Sequence, residues 1–301
     1  MTGIHVRAPA KVNLALRVLG RRPSGFHELE TLFQAVDLCD DVAIRTTSHP
    51  GVTLDVSGAD VGPAEDNLVV RAARAFLSEG SISTGLSIWL EKRIPAGAGL
   101  GGGSSDAGAT LRALRALFPH AVDEMRITDL AAALGSDVPF FVGDAGLSLG
   151  RGRGEVLRPL PPLPEAHLVI GCPPVHISTA GAFGALARDR ETGGTRPTSL
   201  FSDRKLPGDW DGVAELAVND FEATVCRDYP LVALALDALR ATNPGFALLS
   251  GSGSAIFGVF SDASTADRAR DVAEGACPSV RFVRARTLSA LPGLNPGGPT
   301  I

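Results

Sequence analysis

The stretch from Pro95 to Asp106 constrains this chain most. It runs Pro-Ala-Gly-Ala-Gly-Leu-Gly-Gly-Gly-Ser-Ser-Asp, five glycines and two serines directly ahead of a helix-forming run, Ala107 to Leu117. Residues without Cβ let a backbone turn tightly and bring its N–H groups against a ligand. A helix N-terminus adds unpaired donors and a partial positive charge, so loop plus helix makes an anion site, with phosphate the expected anion. A flexible linker is the alternative, but linkers do not usually lead straight into an Ala/Leu/Arg-rich helix.

Neither common nucleotide signature is present. A P-loop needs a Lys after its glycines, and none follows here. Gly97 to Gly102 matches the spacing G-x-G-x-x-G, yet no Val/Ile-rich parallel strand precedes it. Ile88 to Ile94 reads instead as an amphipathic strand with a charged end entering the loop. A lysine for phosphoryl chemistry must therefore come from elsewhere in the chain.

At 301 residues the chain can bury a substantial core, and two domains are expected. Its 45% hydrophobic and 20% charged residues, with net charge −5, suit a soluble globular enzyme and not a general nucleic-acid binder. No apolar run reaches membrane-spanning length and Met1 to Arg7 has no apolar leader core, so a cytoplasmic location is expected. Cys39, Cys172, Cys226 and Cys277 are scattered without C-x-x-C or zinc spacing, and the six histidines form no H-x-x-x-H pattern. Buried free thiols and no protein-held structural metal are the expectation.

Ala10 to Leu19 reads as an early strand, Arg21 to Gly25 as a turn, and Leu29 to Val36, Val42 to Thr46 and Val52 to Val56 as further strands. A helix is expected from Asn67 to about Leu77, with Asp66 or Asn67 as its cap, and another over Arg126 to Leu134, stopped by Gly135 ahead of a turn at Ser136 to Pro139. Leu147 to Arg151 and His167 to Ile170 look like strands. The stiff Pro159 to Pro164 run suggests a boundary between domains 1–158 and 159–301. Glu191 to Asp211 reads as a mobile Gly/Pro-rich loop. Beyond it, helices at Val213 to Cys226 and Leu231 to Ala241 mix with strands at Ala247 to Leu249, Ala255 to Phe260 and Val280 to Arg284, an α+β organisation with an antiparallel-type sheet.

Two further motifs stand out. In Ala8-Pro9-Ala10-Lys11-Val12-Asn13-Leu14, Lys11 and Asn13 are two apart and share one strand face. That face is either a solvent edge or the wall of a polar site. Ser250-Gly-Ser-Gly-Ser254 lies between two apolar strands and is either a plain hairpin turn or a second set of phosphate donors. With the glycine loop, these motifs make the chain resemble the superfamily of galactokinase, homoserine kinase, mevalonate kinase and phosphomevalonate kinase, nearly end to end. Gly25-Phe26-His27 with Leu32-Phe-Gln34, the triple glycine 101–103 and Gly135-Ser-Asp137-Val-Pro139 narrow the likeness to its branch acting on 4-diphosphocytidyl-2-C-methyl-D-erythritol in non-mevalonate isoprenoid synthesis. Two departures are Phe26, where that branch often carries Tyr, and Gly108, where alanine is usual and which should weaken its helix without touching chemistry.

The resemblance implies a two-domain kinase fold with the active site in the cleft between domains, and transfer of the γ-phosphoryl of ATP to the substrate's 2-hydroxyl. It implies that Asp137 is the base and Lys11 its neighbour, the ammonium keeping the carboxylate ionised and stabilising the transferring group. In isolation, Asp137 would read as a turn or capping residue. Pro95, Ala96, Gly97, Ala98, Gly99, Leu100, Gly101, Gly102, Gly103, Ser104 and Ser105 would hold the ATP phosphates, with Asn67, Leu68 and Lys92 on the adenine side. Mg²⁺ is expected, without an assigned protein ligand. Phe26 and Phe183 would sandwich cytosine, His27 would bond its edge, and Asn13 and Thr179 would touch the erythritol or diphosphate. Two rivals remain. One is another small-molecule kinase of the superfamily, with no cytidine requirement. The other is a non-catalytic nucleotide-binding regulator, disfavoured because Lys11 and Asp137 are both present.

Overall fold

The computed structural model describes residues 3–21, 27–59, 62–191, 197–201 and 206–297. Its frame is two long antiparallel strands, β1 (Gly3–Arg21) and β2 (His27–Thr47), paired along most of their length with register shifts between Pro9/Ala10, Asn13/Ala15 and Val18/Gly20. Where two strands, 29–36 and 42–46, were expected, β2 is continuous. The intervening acids look like a turn in sequence but are satisfied in place. Asp40, fully buried, accepts from Lys92 Nζ and from the backbone N–H groups of Arg93 and Ile94, and Asp41 pairs with His5 and Arg93. Paired acids need no solvent, so the strand runs on.

β3 (Val52–Ser57) leads through α1 (Leu68–Glu79) to β4 (Gly85–Glu91), which pairs with β3 in parallel and with β2 antiparallel. Asn67 caps α1, its side chain accepting from Val69 N at 2.9 Å. Next come α2 (Gly102–Leu117), α3 (Glu124–Leu134, capped by Asp123) and α4 (Val138–Val142). α2 starts inside the glycine run, five residues ahead of the expected Ala107, so Gly102 to Asp106 form its first turns. α4 replaces the expected turn after Ser136. Pro139 is tolerated in its first turn, where no N–H is needed. Val69, Phe76, Leu111, Leu114, Ile127 and Val138 of these helices close over Val6, Ile44, Ile88 and Leu90 of the sheet. β5 (Leu147–Gly152) pairs with the other end of β2 and turns back into β6 (Val156–Pro159).

After the proline run, β7 (His167–Cys172) enters a second sheet. α5 (Thr179–Glu191), α6 (Trp210–Leu216), α7 (Glu222–Asp228) and α8 (Pro230–Arg240) follow. β8 (Phe246–Leu249), β9 (Ile256–Phe260), α9 (Ala263–Ala276) and β10 (Arg281–Arg286) then complete an antiparallel sheet of order β10-β7-β9-β8. The single helix expected over 213–226 is two helices. The break holds Asn219, whose amide donates to the carbonyls of Leu249 and Gly251 and accepts from Phe221 N. A side chain bonding so many backbone groups competes with the helix and ends it. α9 escaped the sequence reading, although Asp262 caps it and Ala266, Ala269 and Ala273 form its buried stripe. The turn expected at 21–25 and much of the 191–211 segment lie outside the described residues. Finally β11 (Leu294–Pro296) returns to the first sheet and pairs with β1.

The two sheets do not meet as separate bodies. Ala10, Val12 and Leu14 of β1 and Leu32 and Val36 of β2 share one apolar cluster with Leu168, Ile170, Leu248 and Phe257 of the second sheet. Among the described residues the four cysteines are free thiols, and no helix is long and apolar enough to cross a membrane. Burial pushes the Cys39 and Cys172 thiols up to about 11, which makes them inert packing groups.

Candidate active site

Lys11 and Asn13 share a face of β1, and that face is the wall of a polar site. Both are buried, 3% and 2% exposed. Lys11 Nζ donates to Asn13 Oδ1 at 2.7 Å and to the Gly99 carbonyl at 2.9 Å, and lies 5.5 Å from the centre of the Phe33 ring. Asn13 in turn donates to Thr31 Oγ1, which donates to the Ala15 carbonyl, both at 2.7–2.8 Å. This chain fixes the ammonium without a carboxylate on β1 itself. Thr31 was not singled out in the sequence, and Phe33 entered only as the middle of Leu32-Phe-Gln34, since each is an ordinary strand residue until β2 folds beside β1.

The glycine loop closes over Lys11. Lys11 N donates to the Leu100 carbonyl, and Gly101, at φ +72°, caps α2 in the left-handed region. The Ser250–Ser254 turn interlocks with it: Ser250 Oγ donates to the Gly99 carbonyl, and Ala255 N to the Ala98 carbonyl. A Cβ at Gly99 would fall 2.1 Å from the Ser250 carbonyl oxygen, so the turns can mesh only with glycine there. The Ser250 segment is thus part of the site and no mere hairpin. Ser104 lines the cavity, while Ser105 is fully buried with its hydroxyl unpartnered. Ala98, Leu100 and Gly102 are buried, Pro95 is half-buried, and Ala96, Gly97 and Gly103 are exposed.

The expected adenine side divides. Asn67 is occupied as the α1 cap and Leu68 packs beside Gly103, at the edge of the loop. Lys92 does not face a ligand. Lys92 is 6% exposed, and its ammonium is bonded to Asp40 and, at 2.7 Å, to Asp106. Burial works to lower its pKa, but the two acids outweigh that and hold it above the ordinary lysine value.

Asp137 occupies the N-cap position of α4, yet its side chain makes no cap hydrogen bond. Its Oδ2 lies 3.4 Å from Lys11 Nζ, with the side chain 28% exposed. A carboxylate that neither caps its helix nor is buried is available to a ligand. Both groups open into a cavity of about 540 Å³, with Ser104, Gly135, Ser136, Arg153, Thr179 and Ser252 also on its walls. At the far end His27 stacks on Phe183, ring centres 4.3 Å apart and planes 12° apart, and Phe183 meets Phe221 edge-on at 4.8 Å. Phe26 lies outside the described residues. The Phe183 face expected to take cytosine is therefore covered by His27 itself. Thr179 Oγ1 lies 3.2 Å from Ser252 Oγ, at the mouth of the glycine–serine turn.

The arrangement can bind a phosphate chain, orient an alcohol and accept its proton. The sequence matches the family described as GHMP kinases, the N-terminal domain over residues 67–144 and the C-terminal domain over 202–278. It is 42% identical over 268 residues to a 4-diphosphocytidyl-2-C-methyl-D-erythritol kinase of Solibacter usitatus, covering 88% of this chain and 84% of that one. A kinase of the same name from Moorella thermoacetica is 42% identical over 272 residues, covering 89% and 94%. The chain belongs to this kinase family. It is a phosphotransferase whose phosphoryl donor is ATP. A crystal structure of 4-(cytidine 5'-diphospho)-2C-methyl-D-erythritol kinase superposes with TM-score 0.77 at 34% identity over 94% of this chain and 98% of that one. A homoserine kinase from Cytophaga hutchinsonii, 21% identical with TM-score 0.71 over 98% and 97%, shares the fold.

Proposed function

We propose that this kinase phosphorylates the 2-hydroxyl of 4-diphosphocytidyl-2-C-methyl-D-erythritol. The observation carrying this reading is one cavity lined by both the Lys11–Asp137 pair and the His27–Phe183 pair, Lys11 and His27 being set well apart along the β1–β2 register, where Lys11 pairs with Ala35 and His27 with Arg21. Such spacing suits a molecule with an alcohol at one end and a flat base at the other. Two stacked rings also form a ready surface for a pyrimidine.

In the proposed reaction the alcohol lies against Asp137, which accepts its proton as the oxygen attacks the γ-phosphorus. The bond from that phosphorus to the bridging oxygen breaks, and ADP leaves with the electron pair. Lys11, 3.4 Å from Asp137, opposes the charge that spreads over the transferring oxygens. The glycine loop and the start of α2 align the phosphates, so most of the rate gain is positioning. Mg²⁺ fits this donor set as a phosphate-held ion. Asp137 is the one carboxylate among the described cavity residues, and Mg²⁺ keeps several waters with one or two carboxylates when it rides on phosphates. Bound there, it would neutralise phosphate charge. Four free thiols agree with a reducing compartment, and the cytoplasm is the proposed setting.

The test is ATP consumption with Mg²⁺ and the cytidylyl substrate beside mevalonate, homoserine and galactose. Turnover restricted to the cytidylyl compound, falling about 10²–10⁴-fold in Asp137→Asn with ATP affinity kept, is the expected result. Turnover with another alcohol alone overturns the substrate, and an Asn variant within about tenfold of the parent overturns the base.

A further inference from the structure

We propose that Arg153, at the tip of the hairpin joining β5 to β6, binds the diphosphate that links the two ends of the cytidylyl substrate. This rests on the substrate reading above and adds the residue that recognises its anionic middle.

The argument is positional. Gly152, the last residue of β5, pairs with Leu29 of β2, two residues from His27 at the aromatic end of the cavity. Gly154 passes the other end: a Cβ there would lie 3.9 Å from Asp137 Oδ1 and 3.5 Å from Phe33 Cζ. Arg153 lies between those two points and is one of the residues lining the cavity. A substrate that stacks its base near His27 and presents its alcohol to Asp137 must carry its diphosphate past the same point. Of the lysines and arginines on that wall among the described residues, the other is Lys11, already engaged by Asn13, Gly99 and Asp137 at the acceptor end.

The chemistry fits as well. A guanidinium offers parallel N–H donors that match two phosphate oxygens, which an ammonium cannot do. Arg153 is also held in place. Glu155 accepts from its backbone N at 2.5 Å and from its Nε at 3.4 Å, and the side chain is 33% exposed, open enough to meet a ligand. The competing account is that Arg153 and Glu155 only brace the hairpin. A brace would not distinguish a nucleoside from its diphosphate.

Calorimetric titration of CDP and of cytidine into the full chain and into Arg153→Ala separates the two. The expected result is a roughly 10–100-fold loss of CDP affinity with cytidine affinity held within about twofold, a matching rise in the KM of the cytidylyl substrate, and an unchanged KM for ATP. Arg153→Lys, which keeps the charge, should recover only part of the CDP affinity and serves if the Ala variant does not fold. Equal losses for CDP and cytidine, or no loss of CDP, overturn the assignment. A wild-type chain that binds neither compound and ignores the cytidylyl substrate overturns the substrate reading itself.

Discussion

Asp106 shows how far one side chain's meaning depends on what folds around it. In the sequence it ends the glycine run. In the fold it is 2% exposed, bonded through one oxygen to Lys92, while Oδ1 has no partner. Burial pushes its carboxyl up to about 7, against the pull of Lys92 and with the push of Asp40. The unfolded carboxyl titrates near 4. Between those values the native chain keeps a proton that the unfolded chain has released. This contribution to stability is therefore complete below about pH 4 and lost as pH rises through about 7. Urea midpoints for wild type and Asp106→Asn between pH 4 and 8 should diverge, the wild type losing up to about 1.4 kcal/mol per pH unit relative to the variant. Parallel profiles would show the proton is not held. Lys92 was misread for the same reason. A lysine at the end of an amphipathic strand looks exposed until Asp40, fifty-two residues earlier, is seen to lie under it. That Lys11, Asn13 and Asp137 share one cavity was foreseeable because their motifs are local and specific.

At the scale of elements, the contact between α2 and α4 sets the distance between the glycine loop and Asp137. It is made at Gly108, where an added Cβ would sit 2.5 Å from Phe141 Cβ and 2.9 Å from the Phe141 carbonyl oxygen. The sequence suggested that glycine here merely weakens a helix. The structure corrects this: alanine would push α4 away, and Asp137 stands at the start of α4. Gly108→Ala should therefore destabilise the chain by about 1–3 kcal/mol despite the better helix propensity, and lower kcat more than it raises either KM. A variant more stable than wild type, with unchanged kcat, would show that the helices adjust freely. Helices and strands with clear caps or alternation, such as α1, α3, β3 and β9, were readable. The continuous β2 and the break at Asn219 were not, because each depends on partners distant in sequence.

Over the whole molecule, the end of the chain finishes what its beginning starts. β11 pairs with Ile4 to Val6 of β1, and Arg112 on α2, 6% exposed, donates to the Pro292 carbonyl at 2.7 Å. Burial lowers the pKa of that guanidinium, a sign of how poorly it is solvated. A chain ending at Leu291 leaves it without this acceptor and bares the edge of β1. Its melting temperature should fall by about 5 °C or more, read by circular dichroism. An unchanged melt would make the tail ornamental.

The interlock of Ser250 with Gly99 carries its own consequence during synthesis. At 5–20 residues per second, the ribosome makes Gly99 roughly 8–30 s before it reaches Ser250. For that interval the nascent chain holds a glycine loop without the Ser250 turn meshed against it. The part of the cavity wall that Gly251 and Ser252 supply therefore waits on translation.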